Sequence, residues 1–205
     1  MRPSVTIRPM TNLDHQQATR IMAAAFGSKM PAMASLSNEA IAEFLSAASI
    51  FDEEVLNRHY VACVEGHVAG IMHLETLAEK LQKKTPSKDV LWMLRRFGFL
   101  RVFISSISLF FLDNKLAEDE MIVDFIAVDP DYRGQGIGSQ LLDYGEAQAR
   151  QVSGITRITL SVIDENKGAR RLYERKGFVV YKTKHSKVLK IFTGVETSHM
   201  LEKFL

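Results

Sequence analysis

Gly134, Gly136 and Gly138 fall close together in the run Arg133-Gly134-Gln135-Gly136-Ile137-Gly138, between a segment that reads as a strand and one that reads as a helix. On the sequence they serve no packing purpose. Without Cβ atoms such a loop lets backbone N–H groups close on an anion, and the helix N-terminus behind it adds partial positive charge, so a phosphate or pyrophosphate is its natural guest. The plain alternative is a tight or flexible strand-to-helix turn. A P-loop is excluded, because Gly138 is followed by Ser139-Gln140 and no lysine reaches for a phosphate. A dinucleotide fingerprint fits poorly: Ser139 stands where its third glycine or alanine belongs, and Asp129 to Arg133 separate the glycines from the strand.

Other reactive side chains carry plainer readings. The histidines His15, His59, His67, His73, His185 and His199 form no i, i+4 helical pair and no HExxH, which argues against a metal site. Cys63 sits in a strand-like run and reads as a small core residue. As the only cysteine it excludes an internal disulfide and a cysteine zinc finger, and a reducing compartment is expected.

The elements that must position the glycine loop follow from periodicity. Ser4 to Arg8 alternates as a half-buried strand that Pro9 ends. Apolar positions Ala18, Ile21, Met22 and Ala25 give a helix over about Leu13 to Phe26, with Thr11 or Asn12 as cap and Gly27 beyond its end. Ser37 caps a second helix with an inward stripe of Ile41, Phe44, Leu45 and Ala48. His59–Val64 and Val68–Leu74, joined by Glu65-Gly66, predict a hairpin. Residues 77–119 read as a helical insertion. Met121–Val128 is an apolar strand interrupted by Asp124, followed by the glycine turn and a helix over about Gly138 to Gln151. Ile158–Val162, a basic helix Lys167–Lys176 closed by Gly177, Phe178–Thr183 and His199–Phe204 complete an α/β domain with a mixed sheet.

With 205 residues, 46% of them apolar and 24% charged, the chain suits one globular domain over 1–205 and excludes disordered, collagenous and low-complexity classes. A net charge of +2 argues against a nucleic-acid partner. That balance conceals two patches: residues 77–112 hold seven basic and two acidic side chains, a local +5, and residues 113–131 hold seven acidic and one basic, a local −6. The start of the chain lacks the pattern of a signal peptide, and a cytoplasmic protein is expected. Val102–Leu112 is apolar over 11 residues, short of the roughly 20 that span a bilayer, so no stable membrane insertion is expected. A membrane-surface role for the basic, apolar insertion predicts salt-sensitive liposome binding. Trp92, Phe97, Phe99, Phe103, Phe110 and Phe111 make the insertion the most aromatic stretch, which suits core packing, a substrate lid or a homodimer contact.

The run Val128-Asp129-Pro130-Asp131-Tyr132 leading into Arg133-x-x-Gly136-x-Gly138 resembles the GNAT superfamily of acetyl-CoA-dependent N-acetyltransferases. Leu160-Ser161-Val162, Asn166-Lys167-Gly168-Ala169, Leu172-Tyr173-Glu174 and Gly177-Phe178 repeat the spacing this superfamily shows after its fifth strand. The resemblance covers about 121–178, and the insertion lies outside the shared core. It implies a mixed, mostly antiparallel sheet of about seven strands, splayed at strands 4 and 5 and flanked by helices. Backbone N–H groups of Arg133, Gly134, Gln135, Gly136, Ile137, Gly138 and Ser139 would hold the coenzyme A pyrophosphate. Ile126, Ala127 and Val128 would pair with the pantetheine arm, and a backbone N–H near Val128 would polarise the thioester carbonyl in the gap between the strands. Asn166, with Ala169 beside it, matches the second wall of the cleft. The first members of the basic helix would come within reach of the 3′-phosphate.

Tyr173 matches the tyrosine that protonates the leaving thiolate in many members, the plain alternative being that it packs the helix on the sheet. An amine must lose a proton before it attacks, since alkyl ammonium groups titrate near ~10. Asp124 is suited to accept that proton, lying two places before Ile126 and on its face by the period of two. Binding the substrate ammonium or capping a backbone group are its alternatives. Glu120, at the strand mouth, is the second candidate. These residues imply an acetyl-CoA-dependent N-acetyltransferase, without metal, acting on a primary amine, with a small molecule as the expected acceptor. A peptide or protein N-acetyltransferase and a non-catalytic coenzyme A-binding module of the same fold are the alternatives.

Overall fold

A computed structural model of the chain describes residues 4–26, 33, 35–48, 58–82, 90–99, 102, 116–186, 190 and 195–205. Among them seven strands join one sheet: β1 (Val5–Pro9), β2 (His59–Val64), β3 (His67–Thr76), β4 (Glu120–Val128), β5 (Arg157–Ile163), β6 (Val179–His185) and β7 (Thr197–Phe204). Their order is β1-β2-β3-β4-β5-β7-β6. Every neighbouring pair is antiparallel except β4 and β5, which run parallel. Six helices accompany them among the described residues: α1 (His15–Phe26), α2 (Asn38–Ala47), α3 (Leu77–Gln82), α4 (Val90–Phe97), α5 (Ile137–Ala149) and α6 (Lys167–Arg175).

Local chemistry accounts for most of these boundaries. The hairpin between β2 and β3 turns on Glu65 (φ 49°) and Gly66 (φ 84°), both left-handed, the turn whose twist matches antiparallel strands. Ser37 accepts the Ala40 N–H at 3.2 Å and starts α2. A single 3-10 turn, Asn12–Asp14, leads into α1. There Asp14 accepts from the Thr11 N–H and hydroxyl at 2.8 Å each, and from both Arg8 terminal nitrogens at 2.7 Å. Pro9 departs from expectation: it remains in β1, opposite Tyr60. The sheet tolerates it because β1 is an edge strand, whose outer N–H groups have no ladder to complete. Gly27 lies outside the described residues.

The sheet is covered on both faces. Against one face α5 buries Leu141 and Leu142 with Met72, Leu74, Met121, Val123, Ile158, Leu160 and Leu201. Against the other, Ala18 and Ile21 of α1 meet Val61, Val68, Ile71 and Ala127. The insertion adds a third cluster, in which Met93 and Phe97 of α4 pack on Ile41, Phe44 and Leu45 of α2, with the Phe44 and Phe97 rings edge to face at 5.2 Å. Phe97 therefore belongs to a core, while Trp92 and Phe99 remain 40% and 69% exposed. Phe103, Phe110, Phe111 and the rest of the apolar run after Val102 lie outside the described residues. Among those described, no helix is long and apolar enough to cross a membrane.

Two irregularities in β4 position the site. Its parallel ladder with β5 runs from Glu120 opposite Arg157 to Val123 opposite Leu160 and stops there, so the strands part toward their C-terminal ends. On its other side, β3 pairs His73 with Phe125 and then Leu74 with Val123, which leaves Asp124 as the extra residue of a bulge.

Candidate active site

Where β4 leaves β5 a cleft of about 710 Å³ opens, walled by the end of β4, the glycine loop with the start of α5, and α6. Asp129 accepts the Asp131 N–H at 2.9 Å and bends the chain into a 3-10 turn, and Arg133 Nε donates back to the Val128 carbonyl at 3.2 Å. Gly134 (φ +76°) and Gly136 (φ +87°) are left-handed, a conformation in which an L side chain is strained. The first helical bond of α5 is Gln140 N–H to Gly136 O, at 3.1 Å. The N–H groups of Ile137, Gly138 and Ser139 precede it and have no partner within the helix, which makes this corner a site for an anion. Gly138 corrects the expectation that the glycines serve no packing purpose. A Cβ there would stand 3.3 Å from Leu172 Cδ2 and 3.7 Å from Val128 Cγ2, so α5, α6 and β4 meet at this point.

The structure brings most of the sequence-predicted residues together. Ile126, Ala127 and Val128 line the cleft from β4, Arg133, Gly134, Gly136, Ile137, Gly138 and Ser139 from the loop, and Asn166, Ala169 and Tyr173 from α6. Gln135 is not among the lining residues, and its side-chain amide donates to the Asp131 carbonyl at 3.3 Å. Asn166 is the N-cap of α6, its Oδ1 accepting the Ala169 N–H at 3.2 Å.

Sequence reasoning missed Ala25, Tyr132, Gly168, Leu172, Arg175 and Lys176, all of which line the cleft. Helical spacing carried the signal for four of them, because Gly168, Leu172, Arg175 and Lys176 recur every three or four places along α6. The basic helix also turns the other way from expectation. Its early members are engaged elsewhere, Lys167 with Asp164 and Arg170 with Glu174 at 2.9 Å each, and its last two face the cleft. Lys176 is bound by both Asp143 oxygens at 2.6 Å. Arg175 makes no ion pair among the described residues.

Tyr173 is 6% exposed, and its ring lies against Phe178 at 6.3 Å. Its hydroxyl makes no hydrogen bond among the described residues. Burial pushes the phenol up to about 12, because a phenolate there would lose its hydration. The group is thus a neutral O–H donor at the cleft wall.

The two acids of β4 depart from expectation. Asp124 does not share a face with Ile126, since the bulge breaks the alternation between them. Ile126 packs with the α5-side core, whereas the Asp124 carboxylate lies 3.3 Å from Nδ1 of His73, whose ring packs with Phe125 on the α1 side. Glu120 is not at the cleft. It begins β4, six residues and roughly 20 Å before Ile126. There it is 3% exposed and accepts from Thr159 Oγ1 at 2.6 Å and from Arg157 at 3.4 Å. Arg157 in turn binds Glu202 at 2.8 Å, so Glu120 is part of an ion network that ties β4 to β5 and β7. Among the described residues no group of three or more His, Cys, Asp or Glu is placed to hold a metal ion.

A splayed mixed sheet with a glycine loop and an anion site at the parting strands defines an acyl-CoA-dependent transferase fold. The profile of the acetyltransferase (GNAT) family matches residues 30–178, and the chain belongs to that family, whose members draw the acetyl group from acetyl-CoA. A 58-residue stretch is 41% identical to the mycothiol acetyltransferase of Propionibacterium freudenreichii subsp. shermanii, which is 28% of this chain and 18% of that protein. The match thus spans less than a fifth of that relative. Among solved structures, an acetyltransferase superposes with a TM-score of 0.63 at 23% identity over 97% of this chain and 98% of its own. The N-acetyltransferase from Staphylococcus aureus Mu50 gives 0.65 at 16% identity over 97% and 100%. At these identities the likeness is one of fold.

Proposed function

We propose that the cleft binds acetyl-CoA and that the chain transfers its acetyl group directly to a primary amine of a small molecule. The observation that carries this reading is the parting of β4 from β5 after Val123 and Leu160, at the place where the glycine loop and Tyr173 line one cleft. The residues present fit the coenzyme. Three helix-terminal N–H groups and Arg175 suit its phosphates, and the free edge of β4 over Ile126 to Val128 suits an extended amide-bearing arm that pairs as a strand would. Acetyl-CoA supplies an activated thioester.

The chain's own part is to orient and to move protons. Tyr173 Oη holds a proton for the departing thiolate, and its burial keeps that proton in place across the neutral range. At the β4 bulge the Asp124 carboxylate takes the proton of the attacking amine. The name of the mycothiol acetyltransferase that shares a segment with this chain supports a small acceptor.

Thiol release from acetyl-CoA across a panel of polyamines, amino sugars, amino acids and N-terminal peptides tests the proposal, with the acetylated product identified by mass. Turnover with a small amine above hydrolysis supports it. Coenzyme binding without turnover of any acceptor would instead support a non-catalytic module, and turnover of peptides alone would support a peptide acetyltransferase.

A further inference from the structure

Behind Asp124 lies a buried pair of histidines to which acetyl transfer, as proposed above, assigns no part. His73 on β3 is 3% exposed and His59, its register partner on β2, is 2% exposed. Their rings stack with centroids 4.0 Å apart and 16° between planes, and Phe125 closes on them at 5.7 and 5.6 Å. Two apolar side chains would fill this place at lower cost in desolvation, so the imidazoles call for an account. The pair touches the proposed proton acceptor through the 3.3 Å contact of His73 Nδ1 with Asp124 Oδ2. The two partners differ in burial: the Asp124 side chain is 49% exposed and the His73 side chain 4%.

The geometry points to His73 as the positioning residue of the proton acceptor. A buried imidazole held between His59 and Phe125 cannot swing, so the bond it gives Asp124 comes from a fixed direction. With Nδ1–H donated to Asp124 Oδ2, His73 fixes the carboxylate in one orientation, as a buried partner fixes a reactive group elsewhere. His59 acts through its stack, holding the His73 ring in place with centroids 4.0 Å apart. On this face the period of two also places Glu75, two places further along β3 and buried, whereas the Arg58–Glu79 ion pair beside the start of β2 lies toward Tyr60 on the opposite face. From α1 the sheet is met by Ala18 and Ile21. In the step so assisted, the amine N–H bond breaks and its proton passes to Asp124, the nitrogen lone pair forms the C–N bond, and the C–S electron pair leaves with the thiolate that Tyr173 protonates.

This inference rests on the reading of Asp124 as proton acceptor, and two substitutions separate positioning from packing. His73→Asn keeps an N–H donor near the place of Nδ1 and loses the ring, and His73→Phe keeps the ring and its stack and loses the donor. The expected kcat for acetyl transfer falls about 30-fold in His73→Phe and less than about threefold in His73→Asn, with the KM for acetyl-CoA unchanged. The melting temperature orders them oppositely, Asn being the less stable for its cavity. Asp124→Asn loses activity, and adding His73→Phe to it costs no more. Activity that follows the melting order, or losses that multiply in the double variant, would overturn the inference. Full activity in Asp124→Asn overturns it while acetyl transfer itself stands, and a wild-type protein that acetylates no amine overturns both.

Discussion

Val123 and Leu160 form the last rung of the parallel ladder between β4 and β5, and the cleft begins where that ladder ends. The site is therefore made by a failure of pairing. Strand edges exposed to solvent invite another strand, and here the free edge of β4 faces a wall of α6 that carries Tyr173 and Arg175. Substitutions at four positions test how this opening, and the sheet around it, are held.

Tyr173→Phe removes one oxygen from a buried ring and leaves its packing on Phe178. Its kcat is expected to fall about 10- to 100-fold with little change in melting temperature or acetyl-CoA KM. Because burial pushes the phenol up to about 12, the proton stays on Tyr173 through the neutral and mildly alkaline range. Steady-state rates for the wild type should thus show no alkaline decline from this group until pH approaches that value. A loss of activity near neutrality that vanishes in Tyr173→Phe would contradict the assignment.

Gly136 sits at φ +87° immediately before α5. Gly136→Ala places a Cβ in a left-handed conformation at a cost of roughly 1–2 kcal/mol. The loop is expected to relax away from the anion site, raising the acetyl-CoA KM about tenfold with kcat at saturation nearly unchanged. Calorimetric titration with coenzyme A reads the same loss directly.

Glu120→Gln addresses the ion network at the far end of β4. Weakening a buried carboxylate that accepts from Thr159 and Arg157 should lower unfolding stability by about 1–3 kcal/mol in urea titration. The folded fraction is expected to keep its kcat within about twofold. A large kcat loss without loss of stability would return Glu120 to the chemistry.

Asp14 gives the fold an acid limit. The Arg8 guanidinium, followed by the Thr11 donors, outweighs burial and holds the Asp14 carboxyl down to about 2, from an ordinary 3.8. A carboxyl depressed in the folded state stabilises fully above the unfolded value and loses that contribution as pH falls through the folded one. The stabilisation, about 2 kcal/mol at most, should be present above pH 4 and fade toward pH 2. Asp14→Asn should be less stable at neutral pH and should flatten the stability curve across that window, as measured by chemical denaturation at stepped pH.

Sequence alone determined the features whose causes lie within a few residues. The Glu65-Gly66 turn, the Ser37 cap, the alternation of β1, and the glycine run that leads into α5 are set by backbone sterics and local hydrogen bonds, so each could be read before any fold was known. Family spacing then placed Asn166, Ala169 and Tyr173 on the same wall. What only the tertiary structure decided involves partners far apart in the chain. The bulge at Asp124 comes from the register of β4 on β3, and it overrides the period of two that put Asp124 beside Ile126. Glu120 is withdrawn from the site by Arg157 and Thr159, 37 and 39 residues further on. The cleft-facing end of α6 and the stacked His59 and His73 were equally out of reach, because a side chain's surroundings depend on which strands and helices meet it, and one-dimensional periodicity carries no record of that.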